Sequence, residues 1–205
     1  MIDLHLYLAF ILATSILILM PGPNVALIVA NSVAYGTRYG FLTVAGTSSA
    51  QLVQLALTAL GMTAVLGVLA AWFEWIRWAG VLYLLYLGIK AWRAKPVDLA
   101  RTEAQPKSFR AIYARGLLVS LTNPKTLLFY SAFFPQFVVM NDRVDAQIAI
   151  LAATFLVIAI LLDGAWALLA GRARAVLATR ARLRNRLTGG LLIGAGFGLA
   201  LAHRR

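Results

Sequence analysis

The chain has no cysteine, two histidines and only seven acidic residues, against 19 lysines and arginines. Without cysteine there is no disulfide, no thiolate-held metal or iron–sulfur cluster and no thiol redox chemistry. Few histidines and acids leave little to hold a catalytic metal, so no cofactor is expected. Charge is scarce altogether: 13% of residues are charged and 61% hydrophobic, and mean hydropathy is +0.82. Soluble domains carry about 25% charged and about 45–50% apolar residues, so this chain belongs in a bilayer. At about 20 residues per helical crossing, 205 residues allow about six crossings and no soluble domain of ordinary size. Function must reside in the membrane part.

Uncharged runs locate the crossings. Between Asp3 and Arg38 the one residue that protonates near neutrality is His5, and residues 39–73 carry no charge. Helices are expected over 4–34, 40–69, 73–92, 111–137, 145–171 and 187–203, the last marginally short, with a polar linker over 93–110. No basic region precedes the first apolar run and no small-residue cleavage site follows it, so a removable signal peptide is not indicated. With the N-terminus outside, 14 of the 19 basic residues flank the loops after helices one, three and five, which predicts an N-out, C-out protein of the inner membrane. The +12 charge is thus a topology signal. Nucleic acid is not an expected partner, and lipid binding by the basic cluster at 172–186 is a minor alternative.

Cutting the chain in the linker gives a first repeat at 1–92 and a second at 111–205. Because each holds an odd number of crossings, they enter the membrane with opposite orientation, an arrangement common in transporters. The first helix of each repeat is interrupted at corresponding places, by Pro21, Gly22, Pro23 and Asn24, and by Asn123, Pro124 and Lys125. Proline removes a backbone donor and clashes with the preceding turn. Irregular backbone at membrane depth is tolerated only where it is buried in protein or lines a wet cavity. A kink that serves packing is the plainer explanation of either break taken singly.

Depth follows from the helical rise. Lys125 lies roughly 15 Å and Asp163 about 13 Å from the cytoplasmic face, and Asn24 and Gln51 about 20 Å, with Thr47 and Ser48 one turn below Gln51. Ionisable groups so deep are costly unless paired or hydrated, which marks Lys125 and Asp163 as site candidates. Lys125, with the helix breaks, would receive a substrate carboxylate, while Asp163 takes up and releases a proton. A Lys125–Asp163 bridge that fixes two helices, or a lysine that snorkels to the surface, is the structural alternative.

Other features read more simply. Gly36, Gly40 and Gly46, and Gly189, Gly190, Gly194, Gly196 and Gly198, form small-residue faces for close helix contact, with a homodimer through the last helix left open. Five tryptophans lie mostly near helix ends as interfacial anchors. Phe129, Tyr130, Phe133, Phe134 and Pro135 line an outer gate or simply face lipid. His5 and His203 lie too near helix ends for a deep site.

Pro-Gly-Pro-Asn at 21–24, the helix with Gly40 and Gly46 that follows, Leu-Thr-Asn-Pro-Lys at 121–125 and Phe-Phe-Pro-Gln-Phe at 133–137 together resemble the lysine exporter (LysE) family, on the branch with homoserine and threonine efflux proteins (RhtB). The likeness runs over essentially the whole chain. It implies a bacterial inner-membrane exporter of amino acids driven by the proton-motive force, with two inverted halves, and matching polar positions at Asn24, Asn123, Lys125 and Asp163. One position departs: many members carry an acid in the middle of helix two, where this chain has Gln51. A neutral amino acid thus becomes a better expected substrate than a basic one.

The rivals are weaker. A hydrolase would need a nucleophile beside a base, and Ser120 with Lys125 is a dyad without a supporting motif. A metal exporter would want several core acids or histidines. A parallel-repeat sugar transporter needs an extra crossing that the polar linker cannot supply. A membrane scaffold, or an exporter of another small solute, remains the alternative. The expected protein is therefore all-α, a polytopic membrane transporter with helices one and four broken by proline, whose partners are an amino acid, protons and lipid.

Overall fold

The computed structural model describes residues 3–20, 22–61, 75, 78, 81–82, 85–86, 88–90, 92–93, 108–139, 144–177 and 181–201. Among them the chain is helical between short breaks, with no strand. The helices are α1 (Leu4–Leu19), α2 (Pro23–Tyr35), α3 (Thr37–Gly61), α4 (Phe109–Leu121), α5 (Pro124–Leu128), α6 (Val144–Leu177) and α7 (Ala181–Leu201). After α5 the chain makes a π turn over Phe129–Phe133 and a 3-10 turn over Phe134–Phe137. The described residues between 75 and 92 are helical as well.

Both expected proline breaks are present. The run expected at 4–34 is two helices bent by 51°, and the run at 111–137 ends its first helix at Leu121 and restarts at Pro124. Asn123 caps the restart through its side-chain oxygen, which accepts from the Lys125 N–H at 3.1 Å, and proline at the first helical position loses no needed donor. Asp3 caps α1 in the same way, accepting from the His5 and Leu6 amides.

Several boundaries need correction. The polar linker ends two residues sooner, since Phe109 and Arg110 are already helical, and the second helix starts at Thr37. Residues 62–74 and 94–107 lie outside the described residues, and with them the end of the second expected crossing, the start of the third and most of the linker. The described residues of the basic segment at 172–186 are helical: Arg172 and Arg174 extend α6, and Arg182 and Arg186 belong to α7. Hydropathy detects only the part of a helix that matches the bilayer, whereas alanine and arginine propagate a helix equally well in water. At 34 residues, α6 is about 50 Å long against a hydrocarbon core of about 30 Å. Among the described residues, α6 qualifies as a crossing by length and apolarity, and α1 with α2 qualifies as one bent crossing.

Polarity is distributed inside out. Leu4, Leu8, Leu12, Ile16 and Leu19 form an exposed stripe along α1, and Val157, Ile160, Leu161, Leu168 and Leu169 do so on α6. The interior holds Thr14, Asn24, Asn31, Thr47, Gln51, Gln54, Ser120, Asn123 and Asp163. Such an exterior suits hydrocarbon, where the apolar outside loses nothing and the buried polar groups must serve one another.

Packing fixes the helix directions. Thr43 lies against Gly116 and the Ser120 hydroxyl donates to the Thr47 carbonyl at 3.2 Å, so α3 and α4 run the same way. Thr37 meets Gly171, Gly40 meets Ala167 and Phe41 meets Gly164, so α3 and α6 run oppositely. Tyr7 shares a 2.9 Å hydrogen bond with Thr154 and Ile28 packs with Ala167, so α1–α2 and α6 run together. Gly88 and Trp92 pair with Ile193 and Gly189 in reverse order, which makes residues 75–92 antiparallel to α7.

The glycines divide by task. Gly40, Gly46 and Gly189 permit close helix contact as expected, and Gly88 and Gly116 join them. Gly36 instead has a φ of +102° and turns the chain between α2 and α3. Gly190 and Gly194 face open space or the edge of Trp92. A Cβ at Gly46 would collide with the Tyr113 carbonyl, and backbone cannot step aside. Gly46→Ala is therefore expected to lower stability by about 1–3 kcal/mol through overpacking, in spite of alanine's better helix propensity. Thermal unfolding in detergent would register it as a lower midpoint, and an unchanged or raised midpoint would refute the contact.

One end of the bundle is closed by aromatic rings. Phe10 of α1 stands 5.7 Å edge-on to Phe134 and 5.2 Å edge-on to Phe137, and Tyr130 lies 5.0 Å from Phe155. Of the aromatic cluster, Phe129, Tyr130 and Phe134 are buried in this plug, while Phe133 is exposed. Gln147 fastens the same end, accepting from the Val139 N–H at 3.0 Å and donating to its carbonyl at 2.8 Å.

Candidate functional site

A proline at position i leaves the carbonyl at i−4 without its helical donor. Pro21 thereby frees the carbonyl of Leu17, and Pro124 withholds the helical donor of Ser120, whose carbonyl accepts from the Asn123 N–H at 3.1 Å and keeps room for a second donor. Two side chains from distant parts of the chain take them up. The Lys125 ammonium donates to the carbonyls of Leu17 and Met20, both at 2.8 Å. The Gln54 side-chain amide of α3 donates to the carbonyls of Ser120 at 3.1 Å and Leu121 at 3.3 Å. The Leu121 carbonyl is spare because the Lys125 N–H, its helical partner, is engaged by the Asn123 cap. Each break is thus closed by a residue from the other side of the linker. The lysine also lies at the negative end of α1, where a cation is favoured.

Gly22 lies against this lysine: a Cβ there would stand in contact, 3.4 Å from the lysine Nζ. Beside the two breaks lies a cavity of about 750 Å3, within the roughly 300–1,000 Å3 usual for small-molecule sites. Its lining includes Gly22 and Pro23 from the first break, Asn123, Pro124 and Lys125 from the second, and one face of α7 that runs from Arg186 to Ala195. Most other lining groups are apolar, among them Ala26, Leu128, Leu187 and Leu191.

The expected residues fall into two groups. Gly22, Pro23, Asn123, Pro124 and Lys125 meet at the cavity; Pro21 lies outside the described residues. Asn24, Thr47, Ser48, Gln51 and Asp163 do not line it and lie in the bundle interior. There Asn24 donates to the Ser120 hydroxyl at 3.1 Å, and Thr47 bonds the Val44 carbonyl at 3.0 Å. Among the described residues, the hydroxyl of Ser48 and both side-chain heteroatoms of Gln51 have no hydrogen-bond partner, and neither does either carboxylate oxygen of Asp163. The Lys125–Asp163 bridge considered above is not formed. The lysine is held by the α1 carbonyls, and Asp163 stays within its electrostatic reach without touching it.

Asp163 occupies the inward stripe of α6, in step with Gln147, Leu151, Phe155, Ala159 and Ala167. The contacts of α3 with α6 bring it level with the turns that carry Val44, Thr47 and Ser48. It is 1% exposed, and Tyr130, whose hydroxyl is also buried without a partner, lies within its electrostatic reach.

Gln54, Tyr130 and Arg186 were not among the expected site residues. For Gln54 the signal was available, since counting the carbonyls that each proline releases shows a demand for buried donors. Gln54→Leu leaves the Leu121 carbonyl bare and the Ser120 carbonyl with the Asn123 N–H alone, and a loss of about 1–3 kcal/mol is expected. A thermal unfolding midpoint equal to that of wild type would show that the Gln54 bonds carry no weight.

The chain is similar in sequence to known membrane and efflux proteins. The chain is 32% identical over 202 residues to an uncharacterized membrane protein of Vibrio cholerae, covering 98% of each. It is 31% identical to a homoserine/homoserine lactone efflux protein of Salmonella typhi, over 96% of this chain and 97% of that one. A leucine efflux protein of Klebsiella pneumoniae is 32% identical, over 96% of this chain and 94% of its own. No solved structure matches. The family model described as LysE type translocator matches residues 15–204, and the chain belongs to this family of membrane translocators.

Proposed function

We propose that this chain is a secondary active transporter of the bacterial inner membrane that exports a small neutral amino acid, or a close derivative, in exchange for protons. The observation that carries the reading is the cavity between two proline-broken helices, with the Lys125 ammonium on its wall. An ammonium in a mostly apolar cavity suits a carboxylate, because the low dielectric strengthens their attraction. Lys125 would trade its bonds to the Leu17 and Met20 carbonyls for the substrate, so that binding loosens the first break. Gly22, Pro23, Asn123 and Pro124 complete the pocket in this reading. Asn24, Thr47, Ser48 and Gln51 act from behind it, and Asp163 is the proton carrier.

The reading assigns six crossings in two inverted repeats, one on each side of the polar linker, with both termini outside. The helix directions support it: α3 and α6, the second helices of the two repeats, run oppositely, as do residues 75–92 and α7. The homoserine and leucine efflux proteins among the relatives support a neutral substrate, as does glutamine at position 51.

Efflux from proteoliposomes loaded with labelled amino acids, with and without an imposed pH gradient, tests the reading. Gradient-dependent loss of one or a few neutral amino acids, homoserine and leucine tried first, is the expected result. If no amino acid leaves faster under the gradient, the reading is wrong, and another small solute or a scaffold role takes its place.

A further inference from the structure

The cavity carries charge at a second place. Of its lining residues, Lys125 and Arg186 are charged and none is acidic. Asp163, the nearest buried acid, is not on the wall. Arg186 begins the cavity-lining face of α7, which continues through Leu187, Gly190, Leu191 and Gly194 at helical spacing, while Leu192 packs on Ala26, Leu27 and Ala30 of α2. Eight residues separate Arg186 from Gly194, so it stands roughly 12 Å along the helix axis from that end of the cavity. It is exposed and lies toward the end of the bundle opposite the aromatic plug, because α7 begins where α6 ends.

We propose that Arg186 is the residue that first receives the substrate carboxylate at the cytoplasmic mouth and delivers it to Lys125, and that this pair of cations sets the charge selectivity of the cavity. The inference rests on the exporter reading above. Its physical basis is that two like charges on one mostly apolar wall repel each other until an anion lies between them. A neutral amino acid brings one carboxylate against one ammonium. A lysine or arginine substrate adds a second positive charge with no acid on the described wall to meet it. A guanidinium is well suited to the mouth, since its planar fork pairs with a carboxylate through two hydrogen bonds while it stays hydrated. Arg186 is one of 14 basic residues on the cytoplasmic flanks, so topology survives its loss and a transport effect can be separated from a topological one.

The experiment is initial-rate efflux of the best neutral substrate from proteoliposomes at varied internal concentration, for wild type, Arg186→Gln and Arg186→Lys. Arg186→Gln is expected to raise KM about ten-fold, the order of one lost charge-assisted hydrogen bond, with maximal rate within about two-fold. Arg186→Lys should recover most of that affinity. In the same assay Arg186→Glu is expected to admit lysine or arginine that wild type rejects. An unchanged KM in Arg186→Gln beside an active wild type overturns the inference and leaves the exporter reading intact. A wild type that exports no amino acid overturns both.

Discussion

Lys125→Ala is expected to abolish export, by about 100-fold or more, and to lower the stability of the protein at the same time. Two losses combine. The substrate loses its deepest cationic partner, and an interaction of roughly 2.7 kcal/mol corresponds to a factor of about 100. The carbonyls of Leu17 and Met20 lose the ammonium that now bonds both at 2.8 Å; the Met20 carbonyl is exposed, and the part-buried Leu17 carbonyl left bare costs up to about 1–3 kcal/mol. Lys125→Arg separates the two roles. It supplies donors to the carbonyls and should restore much of the stability, but its planar head cannot take the compact position beside Gly22, so transport stays at least about ten-fold down. Rates in proteoliposomes and unfolding midpoints in detergent, measured on the same preparations, decide the matter. Full-rate export by Lys125→Ala would remove the lysine from the site.

Asp163→Asn should act in the opposite sense on stability. A carboxylate buried to 1% exposure, with neither oxygen hydrogen-bonded, is a destabilising element when ionised, and an amide of the same shape relieves it. The variant is expected to unfold at an equal or higher temperature than wild type. Its transport should divide: exchange of labelled for unlabelled amino acid across the membrane continues, because the cavity is untouched. Net export driven by a pH gradient falls at least about ten-fold, because an amide carries no exchangeable charge. Gradient-driven export at the wild-type rate would dismiss Asp163 as the proton carrier. A large drop in stability would show that the acid has a structural partner.

The membrane class and the two helix breaks were legible in the sequence because each depends on local chemistry. Proline frees a carbonyl wherever it sits in a helix, and a long apolar run matches the bilayer whatever it packs against. The division of the polar layer was not legible. Lys125 and Asp163 were placed at similar heights, which says nothing of the direction in which each points, and so a bridge between them looked as plausible as a shared site. The stripe through Gln147, Leu151, Phe155 and Ala159 gives the facing of Asp163, but only once α6 is known to pack on α1 and α3. The partners of the freed carbonyls, Lys125 and Gln54, depend on contacts between residues more than 60 positions apart. Arg186 was hidden for another reason: a basic residue near a membrane surface satisfies the topology rule by itself and suggests no second use.

The exchange of donors between the breaks also bears on how the protein is made. Leu17 enters the membrane early, while the ammonium that caps its carbonyl belongs to a residue more than 100 positions later. At bacterial elongation rates that interval is on the order of ten seconds. Until Lys125 is made, the Leu17 carbonyl lacks the donor that caps it in the finished fold. Gln54 reverses the timing, for it waits in place before Ser120 and Leu121 are synthesised. The first segment of the chain is therefore an unfinished structure that its last segment completes. Expressed separately, residues 1–92 should be cleared by proteases, and co-expression of residues 93–205 should rescue them.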